Sequence, residues 1–93
     1  MNELIGSFIR SRSGRDIGKH YVIINAHNEY LYLVDGNIRT LDNPKKKNIK
    51  HISRLNYSNP ILVEAIKNKS VKNEEIKRAI KLLQIEISNK EVE

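Results

Sequence analysis

The 93-residue chain contains no cysteine. That absence excludes disulfides, thiol nucleophiles and cysteine-ligated zinc, and it is compatible with a reducing compartment. Long apolar runs are also missing, so no segment reads as a bilayer-spanning helix. The opening residues Met1-Asn2-Glu3-Leu4-Ile5 lack a cationic lead followed by an apolar stretch, the pattern of a secretion signal. The expectation is a cytoplasmic protein with no membrane partner. Acidic residues are scarce beside basic ones, 11 Asp+Glu against 17 Lys+Arg, for a net charge of +6. This excess favours an acidic partner, with nucleic acid ahead of an anionic membrane surface.

Catalytic patterns are lacking too. His20, His27 and His51 form no pair at helical spacing and no metal-ligand set. Asp16, Asp35 and Asp42 stand beside turns and read as turn residues rather than an acid/base pair. No serine lies in a nucleophile elbow. Gly14-x-x-x-Gly18-Lys19 has neither the spacing nor the Ser/Thr of a phosphate-binding P-loop. The reading is therefore of a non-enzyme that uses no metal and no cofactor.

What the chain does contain is a run of short β-forming segments followed by a helical one. Residues 4–12 read as a first strand, with Ile5 and Ile9 inward and Arg10 and Arg12 outward. A glycine-containing turn at 13–19 leads into a second strand at 20–25. The polar stretch 26–29 reads as a hairpin turn, and 30–34 as a third strand. Asp35-Gly36-Asn37 is the strongest hairpin signal, which places a fourth strand at 38–41. Pro44 interrupts the chain before the run Lys45-Lys46-Lys47-Asn48-Ile49-Lys50-His51, which reads as a loose basic loop. Residues 52–55 supply a fifth strand. Five short strands in about fifty-five residues fit a small SH3-like barrel.

The character changes after Asn56. Pro60 suits the first position of a short helix through Lys67. Ile76, Ala79, Ile80, Leu83 and Ile87 recur at the spacing of one helix face, with Asn73 in the N-cap position and Glu74 and Glu75 in the first turn. Leu82 and Ile85 widen this apolar stripe. Such a helix packs on the barrel, on the shorter helix or on a partner, and residues 88–93 are expected to fray. The chain divides into a barrel, 1–56, and a linker with helical appendage, 57–93. Residues 1–56 hold ten Lys+Arg against five Asp+Glu, net +5, and 57–93 hold seven against six, net +1. The charge asymmetry assigns nucleic-acid contact to the barrel and a structural or protein-contact role to the helices.

The stretch Gly14, Gly18, Lys19 followed by the apolar Val22-Ile23-Ile24 resembles the KOW motif, in which a glycine-rich basic loop joins two strands. The likeness continues through Leu33-Val34-Asp35-Gly36, and over residues 14–51 it is to small bacterial KOW domain-containing RNA-binding proteins. The same pattern is similar to the KOW-motif large-subunit ribosomal proteins of eukaryotes and archaea. One departure is Tyr21, where many such motifs carry a further glycine. The resemblance implies an SH3-like (KOW) barrel, RNA and most of all ribosomal RNA as partner, and association with the ribosome or translation. The residues expected to contact RNA are Arg10, Arg12, Arg15, Lys19, His20, Arg39, Lys45, Lys46, Lys47, Lys50 and His51. Gly14, Gly18, Asp35 and Gly36 are expected to serve the turns.

Each feature has a plainer alternative. Arg10 and Arg12 can be solvated strand residues, and the lysine run a solubilising loop. Tyr21, Tyr30 and Tyr32 either stack on bases or sit in the core. The competing function is a protein-interaction adaptor in a transcription or translation complex, using the barrel edge and the C-terminal helix with ribosomal or transcription proteins as partners.

Overall fold

A computed structural model describes residues 2–91. A single 3-10 turn, Asn2–Leu4, precedes β1 (Phe8–Ser11), β2 (His20–His27), β3 (Tyr30–Val34) and β4 (Lys45–Asn48). A second 3-10 turn, Ile49–His51, runs directly into β5 (Ile52–Arg54), and the helices α1 (Pro60–Lys67) and α2 (Asn73–Glu91) follow. The protein is thus a mixed α/β molecule, a five-stranded antiparallel sheet followed by two helices. Its strand order is β4-β3-β2-β1-β5. The two edge strands are joined in sequence by one 3-10 turn, so the ends of the sheet meet at that corner. The bond from the Arg12 N–H to the His51 carbonyl (2.8 Å) extends the β1–β5 pairing to the same place.

Both faces of the sheet are covered. Alternation along β1 and β2 sends Ile9, Tyr21 and Ile23 to one side, where they meet Leu31 and Leu33. Phe8, Val22 and Val34 point to the other side, against Leu62 and Ile66 of α1 and Ile76, Ala79, Ile80 and Leu83 of α2. Full burial of each large aliphatic side chain stabilises by roughly 1.5–3 kcal/mol, so the helices complete the second core rather than decorate it. The Phe8 ring also meets Tyr57 edge-on, centroids 5.0 Å apart. Phe8 shares its face with Arg10 yet is fully buried, because it packs in the core with the helices and against Tyr57.

Several expected boundaries move. The first strand begins at Phe8 instead of residue 4, since Gly6 adopts φ 89° where Val63 of α1 comes close. The second strand runs on through His27, with an extra residue at Ile24 between the Ile23–Leu33 and Asn25–Tyr32 pairs. The third strand lies where expected.

The fourth strand does not form at 38–41. The Asp35 carboxylate accepts the N–H groups of Asn37 (2.9 Å) and Arg39 (2.8 Å), while Asp35 and Gly36 donate to the Arg39 carbonyl. Asn73 Oδ1 takes the Leu41 N–H at 2.9 Å. Those donors are occupied, and 35–44 is a self-bonded loop, not a hairpin. The lysine run forms β4 instead, paired with β3 from Leu33–Lys45 to Tyr30–Asn48.

The helices follow their local signals with two exceptions. Asn59 caps α1 by accepting the Leu62 N–H (3.1 Å), ahead of Pro60. At α2 the capping position belongs to Lys72, whose N–H is bound by the Glu75 carboxylate (3.0 Å). Asn73 is already helical, which frees its side chain for Leu41. Helix α2 packs on both the sheet and α1 and extends through Glu91; the last two residues of the stretch expected to fray, 92–93, lie outside the described residues. Leu82 and Ile85 do not join the buried stripe and are 48% and 50% exposed. Among the described residues no helix is long and apolar enough to cross a membrane.

Candidate nucleic-acid interface

The loop between β1 and β2 is built around a buried carboxylate. Gly14 and Gly18 take positive φ, 83° and 88°, so the chain folds back tightly enough to turn Asp16 inward. The Gly18 N–H donates to the Ser11 carbonyl and the Ser11 N–H to the Lys19 carbonyl, both at 2.9 Å, closing the loop base. The Lys19 N–H donates to the Asp16 carbonyl at 2.9 Å.

Asp16 is 5% exposed. Its Oδ1 lies 2.8 Å from Lys47 Nζ and 2.9 Å from the Ser11 hydroxyl, and its Oδ2 lies 3.5 Å from Lys45 Nζ. Lys47 Nζ also donates to the Ser13 carbonyl at 2.8 Å. Burial alone would raise the carboxyl pKa. The hydrogen bonds from Lys47 and Ser11 outweigh it and hold Asp16 well below the usual carboxylate range. Tyr21 is pushed above the usual phenol range, first by burial and then by the neighbouring Asp16.

This arrangement divides the lysine run that the sequence presents as one basic loop. In β4 the side chains alternate, and Lys45 and Lys47 lie opposite Leu33 and Leu31, on the side of the inner core. Lys47 is only 9% exposed and is committed to Asp16 and Ser13. Lys46 points the other way, its ammonium 4.5 Å from the centre of the Tyr30 ring. Lys50 and His51 are exposed on the 3-10 turn.

The exposed cations gather around the anchored loop. Arg10, Arg12, Arg15 and Lys19 are all exposed. The Arg12–His51 backbone bond brings the β1–β2 loop alongside the turn that carries Lys50 and His51, so the two clusters that the sequence separates are neighbours. Arg39 is half-buried at the base of the 35–44 loop. His20 is half-buried with Nδ1 3.1 Å from Gln84 Nε2. Burial, and then the positive charge of Arg10, lower its pKa and favour a neutral ring.

Two contributors escape a reading by chain segment. Lys77 and Lys81 of α2 line one groove with Lys19, His20 and Ile38. They stand one helical turn apart beside the buried Ile76 and Ile80, so their i, i+4 spacing is the signal that marks them. The near-neutral total of residues 57–93 conceals it. A second groove, about 550 Å³, is lined by Arg10, Arg12, Ile17, Ser53 and Leu55. Another concavity, about 840 Å³, lies between Ile5, Ile24, Leu41, Ile66 and Val71, has a mainly apolar lining and is not lined by Arg10 or Arg12. Among the described residues no cluster of three or more His, Cys, Asp or Glu could hold a metal ion.

No protein-family model matches this sequence, and no curated protein matches it.

Proposed function

We propose that the protein binds RNA along the basic face centred on the β1–β2 loop, with ribosomal RNA the preferred class. One observation carries the reading: Asp16 draws Lys45 and Lys47 inward and so fixes the loop from which Arg12, Arg15 and Lys19 project. Cations held in fixed relative positions bind phosphates without ordering a flexible chain first. Exposed Lys46, Lys50, Lys77 and Lys81 enlarge the positive field on neighbouring elements.

The finer description of the fold belongs to the same proposal. Strand order, and the single 3-10 turn joining β4 to β5, support an SH3-like barrel. Together with the resemblance at Gly14, Gly18 and Lys19, they support membership of the KOW group and a place in translation. The ribosomal assignment rests on that resemblance. No catalytic step and no cofactor enter this reading, and the expected location is the cytoplasm.

The test is ultraviolet crosslinking in cells followed by sequencing of bound RNA, with gradient sedimentation in parallel. Ribosomal RNA reads and co-migration with the large subunit support the reading. Free migration with a single protein partner overturns it in favour of an adaptor. That second reading is favoured by one observation, the exposed apolar pair Leu82 and Ile85 one turn apart on α2.

A further inference from the structure

We infer that the groove formed by Arg10, Arg12, Ile17, Ser53 and Leu55 holds one unpaired nucleobase of the bound RNA. The inference rests on the RNA-binding reading and adds what kind of RNA is preferred. Its starting point is Ile17. This residue lies in a polar, cationic loop and is 65% exposed, so neither core uses it. Its position is nevertheless fixed. The Ile17 N–H donates to the Gly14 carbonyl (3.3 Å), and its neighbours Asp16 and Gly18 are tied down on either side. A solvent-facing aliphatic side chain carried among arginines on a hydrogen-bonded backbone is suited to contact a flat apolar surface that carries negative charge at its edge.

The groove beside it supplies the remaining contacts. Arg10 and Arg12 stand two residues apart on one face of the strand, a separation of about 6.5–7 Å. Ser53 lies opposite Arg10 in the β1–β5 register, and Leu55 follows on the same side. A volume of about 550 Å³ is within the usual range for small-ligand sites. Ile17 and Leu55 offer apolar contact to the faces of a base. The two guanidinium groups can stack on it or grip the adjoining phosphates, and the Ser53 hydroxyl can meet a base edge. In a regular A-form duplex the bases are stacked inside the helix, and the deep major groove does not admit side chains. Only a bulged, looped or terminal nucleotide can enter, and an apolar wedge beside cations is a recurrent way to hold one out of the stack.

The test uses the full chain and two RNA hairpins identical except for one bulged uridine. At fixed salt the wild-type protein is expected to bind the bulged hairpin about tenfold more tightly, the size of one stacking contact of ~1.4 kcal/mol. Ile17→Ser is expected to remove most of that preference while changing affinity for the regular hairpin less than about twofold. Because Ile17 is exposed, the variant should fold, and circular dichroism checks that it does. With 4-thiouridine at the bulge, crosslinks are expected in the peptides containing Ile17 and Leu55. Equal wild-type affinity for the two hairpins overturns the inference and leaves RNA binding standing. So does an Ile17→Ser effect of equal size on both hairpins, or no effect on the bulged one. Absence of salt-dependent binding to either hairpin overturns the RNA reading itself.

Discussion

Lys47 lies 31 residues from Asp16 in sequence, and its ammonium sits 2.8 Å from the Asp16 carboxylate. This contact joins the edge strand β4 to the loop between β1 and β2. It also fixes which lysines of the run remain available to a partner.

Asp16→Asn leaves the nearly buried Lys47 without its counter-charge. A loss of about 2–4 kcal/mol is expected in urea unfolding near neutral pH. The pH dependence has a definite sign. The folded-state pKa of Asp16 is depressed, so the unfolded chain takes up the proton first as pH falls. The stabilisation is present in full above about pH 5 and is lost progressively as pH falls through the unfolded carboxylate pKa of about 4 toward the depressed folded value. The wild-type protein should therefore lose more stability than Asp16→Asn between about pH 6 and about pH 3. Parallel stability curves for the two proteins would contradict this account.

The lysine run should separate into two functional groups. Lys47→Gln is expected to lower stability, by about 1–3 kcal/mol from the unsatisfied Asp16 and Ser13 oxygens. Lys46→Gln and Lys50→Gln should leave the unfolding midpoint nearly unchanged. Each of these two should reduce RNA affinity and flatten the slope of log affinity against log salt by about one. Titrations at two salt concentrations, paired with thermal melts, check both halves.

Gly36→Ala is expected to be more damaging than an ordinary turn substitution. Gly36 adopts φ 78°, and a β-carbon there would lie 2.7 Å from the Lys77 backbone nitrogen and against the Asn73 carbonyl. The loop must withdraw from α2, which also strains the bond from Leu41 to Asn73. A cost above about 2 kcal/mol corresponds to a Tm lower by at least about 8 °C for a domain of this size. A melt within about 2 °C of wild type would show that the loop yields freely.

Replacing Lys77 and Lys81 together with glutamine tests whether the helix belongs to the interface. Both side chains are exposed, so the fold should be retained within about 0.5 kcal/mol. RNA affinity at low salt should fall several-fold. Affinity equal to wild type would confine the interface to the sheet and its loops.

The parts of the fold that announce themselves in the sequence are those whose side chains pack where they are made. The run of β-formers in 21–24 marks β2, alternation in 30–34 marks β3, and the steps from Ile76 to Leu83 mark the buried face of α2. The parts that stay hidden depend on a distant partner. Residues 38–41 carry β-forming side chains, but two of their backbone donors are taken by Asp35 and by Asn73. Lysines have poor strand propensity, yet 45–47 pair with β3 because β3 offers an open edge and Asp16 receives two of them. Asp16 resembles any turn aspartate until its partners are known. Of the candidate interface, the exposed arginines and Lys19 are legible from the basic turn. Lys77 and Lys81 emerge only once α2 is laid against the sheet.

The bond between Leu41 and Asn73 has a consequence for how the chain acquires its shape during synthesis. The loop 35–44 is held by a helix whose first residue lies 32 positions beyond Leu41. The core that includes Phe8 and Val22 likewise awaits Leu83. The hairpin of β2 and β3 can assemble locally, whereas the 35–44 loop gains its bond to Asn73 only once α2 is present. Until the ribosome has made that helix, Phe8, Val22 and Val34 remain uncovered. The growing chain thus carries a sticky apolar surface for most of its elongation, and this is the interval in which it is most exposed to misassociation or to capture by a chaperone.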